Sequence, residues 1–394
     1  MVSRPIEATL CSSDREIRAL NPLKRVVIVD GSVAVTGAFM AALNIAEALR
    51  PYARTSIVLP SDSAIRAEDF LDTCDIVYMP LAKMKLRLAS IAAFVPVTLY
   101  SGFLLRLLSR RSGCHALLIN DFYLAIGPAM RLLGFRRTIV TWVRIDPAMF
   151  GRTLSRILLT GAFLSSDRIV AVSDFIRAKL PTSPKTVKIY DALRFRQSAR
   201  DHVLRFHTDG YRRRIVYIAN YIPGKGQDHA ITAFADLALK YSDVELLFFG
   251  GDMGLQKNKE YRLRLENEVR SKHLHEQIRF HDFVKDMVPV LATAALALNF
   301  SERESFSFTC LEASGFGLPM VVTRSGGPEE IIVDGQTGIL VAPGDTAAMR
   351  DGIDLLLADK TLAEWMGSNA ARHVKEKFSF DRFACDIVKI LRLT

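Results

Sequence analysis

The sequence predicts an α/β protein in which two Rossmann-like domains face a cleft. Its 394 residues exceed the size at which one hydrophobic core stops growing, so two domains are expected. Short apolar segments typical of buried parallel strands alternate with helical patterns in two separate series. A polar and basic segment, residues 191–210, lies between the series and is interpreted as the linker. Ligands of such sheets bind beyond the carboxyl ends of the strands, where we expect the site.

The first series predicts an N-terminal domain over residues 1–195. It opens with the strand RVVIVD at 25–30, followed by an amphipathic helix over 38–49. Further strands are predicted at residues 55–59, 76–79, 116–120, 138–142 and 168–172.

The second series predicts a C-terminal domain over residues 196–375. Its strands are predicted at residues 214–219, 245–249, 278–280, 295–300, 320–323 and 338–341. The amphipathic segment 378–393 predicts a terminal helix, which is set apart as residues 376–394.

Composition limits the class of protein and its partners. With 49% apolar and 24% charged residues the chain is typical of a folded protein, and its net charge of +10 attracts anions such as lipid headgroups and sugar nucleotides. No basic motif with interleaved aromatic residues occurs, so nucleic acid is not an expected partner. The first twenty residues contain acids and no apolar core, unlike a signal peptide. The scattered cysteines predict free thiols in a reducing cytoplasm and no metal site: Cys11, Cys74, Cys114, Cys310 and Cys385.

The segment 301–345 carries the most chemical information. Two carboxylates, Glu304 and Glu312, lie eight positions apart. The apolar segment 291–300 before them predicts a buried strand, and residues 308–316 predict the start of a helix. A helix N-terminus suits a phosphate, while carboxylates accept hydrogen bonds from sugar hydroxyls. The arrangement therefore predicts a nucleotide-sugar site.

This segment closely resembles the donor-binding motif of the retaining group 1 glycosyltransferases, glycosyltransferase family 4, which have the GT-B fold. The family's E-G-F-G-x-x-x-x-E-A-x-x-x-G-x-P pattern and the glycine-rich pattern that follows it are matched in register. The matching residues are Glu304, Phe306, Glu312, Ala313, Gly317, Pro319, Gly326, Gly327, Glu330, Ile331, Asp334, Gly335, Thr337, Gly338, Leu340, Val341, Pro343 and Asp345.

The resemblance implies roles for these residues. Glu304 would contact the transferred sugar, Glu312 would bind the nucleotide ribose, and the backbone of Ser305, Phe306, Ser307 and Phe308 would approach the diphosphate. Ser305 and Ser307 replace the family's two glycines; serine keeps the N–H donors but reaches the required backbone geometry at a higher energy than glycine. The resemblance also implies that the terminal helix returns to the N-terminal domain.

A second matching segment covers residues 218–234, in which Lys225, Gly226, Ala233 and Phe234 agree with the family pattern. A lysine in a glycine-flanked loop after a strand is suited to neutralise a diphosphate leaving group. The alternative is a solvated loop lysine. The family's Gly-Arg pair is Ala219-Asn220 here, so Asn220 is a donor-binding candidate.

Because the family arginine is missing at residue 220, another cation is needed to balance the diphosphate. Arg303 and Arg324 are candidates for that role.

The N-terminal domain offers weaker signals. Gly37, which opens the helix after the first strand, matches the family's glycine loop. Asp121 and Asp146 stand where many relatives carry histidines, and a carboxylate there could serve as general base. The alternative is that both cap helices. Ser173 follows a strand and is a contact candidate.

Residues 88–105 form an uncharged segment with basic residues on both sides. It approaches the length of a membrane span, but predicted strands of one sheet flank it and Pro96 interrupts it. One alternative is a buried domain helix. The other is an interfacial helix on anionic headgroups, which would suit a lipid-linked acceptor on the inner face of the membrane.

Together these features predict a retaining glycosyltransferase, of the type that builds bacterial surface polysaccharides. It would transfer sugar from a nucleoside-diphosphate sugar, with no other cofactor, to a lipid-linked or polysaccharide hydroxyl. The absence of a D-x-D motif predicts a reaction independent of metal. Two alternatives remain open: a sugar-nucleotide 2-epimerase on the same fold, and an inactive glycan-binding protein.

Overall fold

The computed structural model describes residues 24–70, 72–82, 88–194 and 213–393, without the side chains of 88–93. The chain divides into an N-terminal unit, Met1–Val172 with Ile176–Tyr190 and Phe380–Thr394, and a C-terminal unit, Ser173–Phe175 with Asp191–Ser379. The main divisions therefore fall at residues 190 and 379, against the predicted 195 and 375. The predictions for the first twenty residues, for Cys11 and for most of the linker lie outside the described residues.

The N-terminal unit contains a seven-stranded sheet in which every described pair of neighbours is parallel. The strand order is β3-β2-β1-β4-β5-β6-β7. The strands are β1 Lys24–Val29, β2 Ala53–Pro60, β3 Asp75–Met79, β4 Ala116–Ile119, β5 Thr138–Val143, β6 Arg168–Ala171 and β7 Thr186–Lys188. Only β7 was not predicted, because TVK is too short and too polar to show a strand pattern.

Helices cover both faces of this sheet. In chain order the helices up to residue 177 are α1 Gly37–Leu49, α2 Leu88–Arg111, α3 Ile126–Leu132, α4 Arg152–Ser165 and α5 Asp174–Arg177. The helix α1 connects β1 to β2 in one direction along the sheet, whereas α2, α3 and α4 connect strands in the opposite direction. Because such crossovers are right-handed, α1 lies on one face of the sheet and the other three helices lie on the other. On the second face, Leu105, Ile126 and Met130 pack against alternate strand residues such as Val27 and Leu117.

The C-terminal unit contains a six-stranded parallel sheet of order β10-β9-β8-β11-β12-β13. Its strands are β8 Arg213–Ile218, β9 Val244–Phe249, β10 Ile278–His281, β11 Ala294–Asn299, β12 Met320–Thr323 and β13 Ile339–Val341. The strand β9, VELLFF, is buried along its whole length, as expected for a central parallel strand. The prediction that residues 291–300 form one strand was wrong at its start, because Val288–Leu291 is a short helix opened by Pro289.

The remaining helices alternate with these strands along the chain or follow the last strand. They are α6 Gln227–Ala238, α7 Gln256–Ser271, α8 Val288–Leu291, α9 Phe308–Gly315, α10 Pro328–Ile331, α11 Thr346–Ala358, α12 Lys360–Lys377 and α13 Phe380–Ile390. The last of these, α13, packs on α1, and Lys24 Nζ donates to the Leu393 carbonyl at 2.7 Å. The terminal helix thus belongs to the N-terminal unit.

Each sheet has one place where its strand order reverses. In the N-terminal unit the reversal lies between β1 and β4, and in the C-terminal unit between β8 and β11. Loops at the carboxyl ends of such neighbouring strands leave a crevice for ligands. The loops that follow these four strands are therefore the first places to look for a site.

Candidate active site

The loop between β8 and α6 presents Lys225. Gly226, which ends the loop, has φ +75°, and a Cβ there would lie 2.1 Å from the Phe300 carbonyl oxygen. Only glycine fits this close approach. The buried Tyr217 hydroxyl donates to the Lys225 carbonyl at 2.5 Å. The backbone of Lys225 is therefore held in place while its side chain stays part-exposed.

The turn after β11 presents Glu304. Its N–H donates to the Ser325 carbonyl at 3.0 Å, and its carbonyl accepts from the Gly327 N–H at 2.8 Å. A Cβ on Gly327 would lie 2.3 Å from the Phe306 Cα, so glycine is required for this contact. The segment from residue 325 to 327 thus fixes the backbone that carries Glu304.

Lys225 and Glu304 form an ion pair. Lys225 Nζ lies 2.6 Å from Glu304 Oε1, which also accepts from the Ser301 hydroxyl at 3.0 Å. Both side chains remain partly exposed. The two residues that the sequence singled out on separate motifs therefore meet at the β8/β11 reversal.

The segment Ser305–Phe308 leads into α9. Ser307 has φ +92°, the left-handed region that favours glycine, as its position in a glycine motif predicted. Its hydroxyl accepts from the Asn299 amide at 3.1 Å and from the Cys310 N–H at 3.3 Å, so the side chain caps the helix. The Phe306 ring is buried against Phe378. Phe306 can therefore offer a ligand only its backbone.

Glu312 lies on α9, one turn after Phe308. The residue is half-buried, and no hydrogen bond to its carboxylate occurs among the residues that the structure describes. Desolvation, with a smaller contribution from the charge of Asp286, raises the pKa of Glu312 to about 7. The charged form is poorly hydrated and gains from any donor that a ligand supplies.

Asn220 joins two strand ends. Its Oδ1 accepts from the Gly251 N–H at 3.0 Å, and its carbonyl accepts from the Gln227 amide at 3.0 Å. A Cβ on Gly250 would lie 2.0 Å from the Ala219 carbonyl oxygen. The Gly250-Gly251 pair, which directly follows β9 in the sequence, is a site element that the sequence reasoning missed.

Of the two candidate replacement cations, Arg324 is engaged by an acid. Its Nη2 lies 2.5 Å from Asp334 Oδ2, which lowers the net charge that it can offer a phosphate. Arg303 is exposed in the turn before Glu304.

Glu330, a motif residue to which the sequence assigned no role, binds the segment Ser173–Phe175. Its two carboxylate oxygens accept from the Asp174 and Phe175 N–H groups, each at 2.8 Å. The Ser173 hydroxyl donates to the Ser305 carbonyl at 2.6 Å. Ser173 thus contacts the donor motif itself, within the C-terminal unit.

The N-terminal unit places Gly37 at the exposed start of α1, where the Thr36 hydroxyl caps the helix. In the same loop, a Cβ on Gly31 would lie 2.9 Å from the Tyr123 hydroxyl.

Asp121 and Asp146 both cap short 3-10 helices, as one of the two interpretations of the sequence predicted. Asp121 Oδ1 accepts from the Phe122 N–H at 2.9 Å, and Asp146 Oδ1 accepts from the Ala148 N–H at 2.9 Å. Lys179 Nζ lies 2.5 Å from Asp146 Oδ2. Asp121 is buried, and desolvation raises its pKa to about 8. Each carboxylate thus has a structural contact through one oxygen, and the role of either as general base stays a prediction.

A buried polar network that the sequence reasoning missed lies beside Asp121. Asn120 donates to Asp30 Oδ2, and its own Oδ1 accepts from Arg144 Nε at 2.7 Å. Asp30 Oδ1 accepts from the Ser32 N–H at 2.7 Å. The signal was available: each residue directly follows an apolar strand, which places all three at one edge of the sheet.

Two properties of the described part of the chain concern metal ions and membranes. No group of three or more His, Cys, Asp or Glu side chains there could hold a metal ion. None of its helices combines the length and the apolar character that crossing a membrane requires.

Two Rossmann-like α/β units in one chain define the GT-B class of fold, and the solved structures confirm it. Anabaena HepE in complex with UDP and glucose superposes with a TM-score of 0.78 over 93% of this chain and 99% of that chain, at 19% identity. Sucrose-phosphate synthase from Thermosynechococcus elongatus gives a TM-score of 0.76 over 94% and 98%, at 17% identity. At these identities the likeness concerns the fold.

Residues 205–373 match the family Glycosyl transferases group 1. N-acetyl-alpha-D-glucosaminyl L-malate synthase of Bacillus anthracis is 32% identical over 168 residues, 43% of this chain and 42% of that protein. GDP-mannose-dependent alpha-(1-6)-phosphatidylinositol monomannoside mannosyltransferase of Mycolicibacterium smegmatis is 28% identical over 262 residues, which cover 63% of this chain and 68% of that protein. Capsular polysaccharide biosynthesis glycosyltransferase CapM of Staphylococcus aureus is 28% identical over 170 residues, 42% of each. The chain spans less than half the length of the first and third of these relatives.

Proposed function

We propose that this protein is a retaining glycosyltransferase that moves a sugar from a nucleoside-diphosphate sugar to a hydroxyl acceptor. The observation that carries the proposal is the Lys225–Glu304 ion pair at the β8/β11 reversal, which joins a cation for the diphosphate to a carboxylate for the sugar. Support comes from the family match of residues 205–373. The relatives named above are themselves glycosyltransferases or sugar-conjugate synthases.

In this proposal Lys225 neutralises the leaving diphosphate. The bond between the anomeric carbon and the diphosphate oxygen breaks, and a bond to the acceptor oxygen forms on the same face. The acceptor proton passes to the leaving phosphate, so no enzyme nucleophile is needed. Because charge accumulates on the leaving group in the transition state, an ammonium beside it lowers the barrier.

Glu304 and Glu312 divide the recognition of the donor. Glu304, fixed by the 325–327 segment, accepts hydrogen bonds from hydroxyls of the transferred sugar. Glu312, which lacks a described hydrogen-bond partner, accepts from the ribose hydroxyls. The backbone of Ser305–Phe308 and the amide of Asn220 lie on the same edge and complete the donor site. A reaction without a bound metal belongs to this proposal.

The acceptor is proposed to be a lipid-linked or surface-polysaccharide glycan. Relatives named for capsular polysaccharide and for phosphatidylinositol mannoside synthesis support this assignment. Such an acceptor calls for peripheral contact with the inner face of the cell membrane, for which the exposed apolar residues of α2 are suited. A cytoplasmic enzyme with accessible nucleotide sugars fits this setting.

The test is an assay of the purified chain with UDP-, GDP- and ADP-sugars, followed by mass spectrometry. We expect release of a nucleoside diphosphate from one of them, by transfer or by slow hydrolysis. A product of unchanged mass would identify the 2-epimerase alternative. Binding of nucleoside diphosphate without any turnover, with or without glycan acceptors, would support the inactive glycan-binding protein and contradict the proposal.

A further inference from the structure

Residues 88–166 have an unusual charge composition. They contain nine arginines, no lysine and no glutamate, and their only acids are Asp121 and Asp146, both buried. The next acid, Asp167, is ion-paired with Arg131 at 2.7 Å. The helices α2, α3 and α4 of this segment therefore expose cations without exposing a carboxylate.

The helix α2 adds an apolar stripe to this charge. Val95, Leu99 and Phe103 follow one another at a spacing of four residues, and Val95 and Phe103 are 61% and 50% exposed. On the opposite side of the helix, Ser101 and Leu105 are buried. Helical periodicity places Arg110, which is exposed, on the same side as the stripe.

The two neighbouring helices also expose apolar side chains. Gly102 on α2 lies against Ala129 on α3, where a Cβ would approach the Ala129 Cβ to 2.9 Å. Arg131 Nε on α3 donates to the Ser165 carbonyl of α4 at 2.8 Å. The ends of α3 and α4 expose Leu132 and Leu164 at 77% and 80%.

We infer that this face docks on the surface of an anionic lipid bilayer, a role that rests on the lipid-linked acceptor of the proposed function. We call it the arginine face. It consists of Val95, Leu99, Phe103, Leu132 and Leu164 with the exposed arginines Arg110, Arg111, Arg136, Arg137, Arg152 and Arg156.

The chemistry favours a lipid surface over other anions. Exposed aliphatic side chains gain from contact with acyl chains, whereas a nucleic-acid backbone offers them nothing. Arginines beside them are attracted to anionic headgroups, and no acid on these helices opposes that attraction. Because none of the described helices could cross a membrane, the contact lies in the plane of the interface.

The helix α7 of the C-terminal unit provides a contrast. It carries Lys257, Lys259 and three arginines, but Glu260, Glu266 and Glu268 are interleaved with them, and Arg262 pairs with Glu266 at 3.0 Å. The lysines of α7 serve as the matched control, because they are exposed, as Arg110 and Arg137 are, but lie among glutamates.

The experiment is co-sedimentation of the full chain with vesicles, without donor or acceptor. We expect binding to phosphatidylcholine vesicles that contain phosphatidylglycerol, and little binding to phosphatidylcholine alone. Arg110→Glu with Arg137→Glu should weaken binding by at least about tenfold. Lys257→Glu with Lys259→Glu makes the same change in net charge and should leave binding unchanged. Leu99→Ser with Phe103→Ser should remove the binding that persists at high salt.

Absence of binding by the wild-type chain would overturn the inference, as would equal loss in both double-charge variants. If the wild type fails to bind vesicles but self-associates, and Leu99→Ser with Phe103→Ser abolishes the association, the face is an interface between copies of the chain. Hydrolysis of the nucleotide sugar should continue unchanged in Arg110→Glu with Arg137→Glu. This readout separates failure of the docking inference from failure of the proposed glycosyltransferase activity.

Discussion

The two sheets of this protein use the same edge in different ways. At the β8/β11 reversal of the C-terminal unit, Lys225 and Glu304 form a part-exposed ion pair that a ligand can reach. At the carboxyl ends of β1, β4 and β5 of the N-terminal unit, Asp30, Asn120 and Arg144 form a buried network. Parallel sheets of one topology thus support an accessible charge pair in one unit and a structural polar core in the other. A position at a reversal point therefore does not by itself make a side chain accessible to a ligand, because burial at that edge differs between the two units.

The largest effect should come from removing the accessible cation. Lys225→Ala should lower kcat by about 10²–10³-fold, because the leaving diphosphate loses its neutralising charge. Steady-state transfer or hydrolysis assays measure this. Lys257→Ala, which removes an exposed lysine of α7, serves as the control and should keep kcat. A Lys225→Ala enzyme with full turnover would place the site elsewhere.

Replacing the other half of the pair should have the next largest effect. Glu304→Gln should lower kcat more than tenfold, about 1.4 kcal/mol or above, since the amide is a weaker acceptor for the sugar hydroxyls and no longer pairs with Lys225. The free energy of unfolding should change little, because the pair is partly exposed. Unchanged turnover would refute the assignment of Glu304 to the transferred sugar.

A substitution of Asp121 at the buried edge of the N-terminal sheet should change the free energy of unfolding and leave catalysis unchanged. Burial raises the pKa of Asp121 to about 8 in the folded state. Between the pKa of the unfolded chain and this value, the folded protein holds a proton on Asp121 that the unfolded chain has released. The free energy of unfolding should therefore fall as pH rises towards 8. In the Asp121→Asn variant the side chain resembles the neutral acid. Between pH 5 and 8 its free energy of unfolding should fall by less than that of the wild type, and the difference should be at least about 1 kcal/mol.

Chemical denaturation across this pH range tests that expectation for Asp121. The KM for the donor should be the same in the Asp121→Asn enzyme and in the wild type. A large loss of kcat in this variant would show that the buried edge takes part in the reaction after all.

The smallest effect is expected at the ribose contact. Glu312→Ala should raise the KM for the donor several-fold, roughly 1 kcal/mol, with kcat nearly unchanged. Burial raises the pKa of Glu312 to about 7, so protonation below that pH should weaken nucleoside diphosphate binding. Calorimetry at several pH values measures the affinity for nucleoside diphosphate. The Glu312→Gln variant is the control, because its affinity changes with pH only through titration of the phosphate and of other groups. Equal pH dependence in both proteins would contradict the ribose assignment.

Local patterns predicted most of the fold and the donor half of the site. Apolar strands such as 320–323 were predicted to the residue, because burial on both faces leaves a continuous apolar signal. Ser307 in a glycine position predicted a strained turn, and the positive φ bears this out. The capping role of Asp121 was one of two alternatives, since a lone aspartate after a strand carries no signal of its burial.

The sequence by itself determined the two parallel sheets, their order along the chain and the motif residues Lys225, Glu304 and Glu312, because each depends on spacing within a few turns of chain. Only the tertiary structure decided that Lys225 meets Glu304 across 79 positions, and that Asn120 meets Asp30 across 90. It also decided which side of α2 is exposed. Contacts and burial between distant segments depend on how sheets and helices pack, and no local pattern encodes that packing.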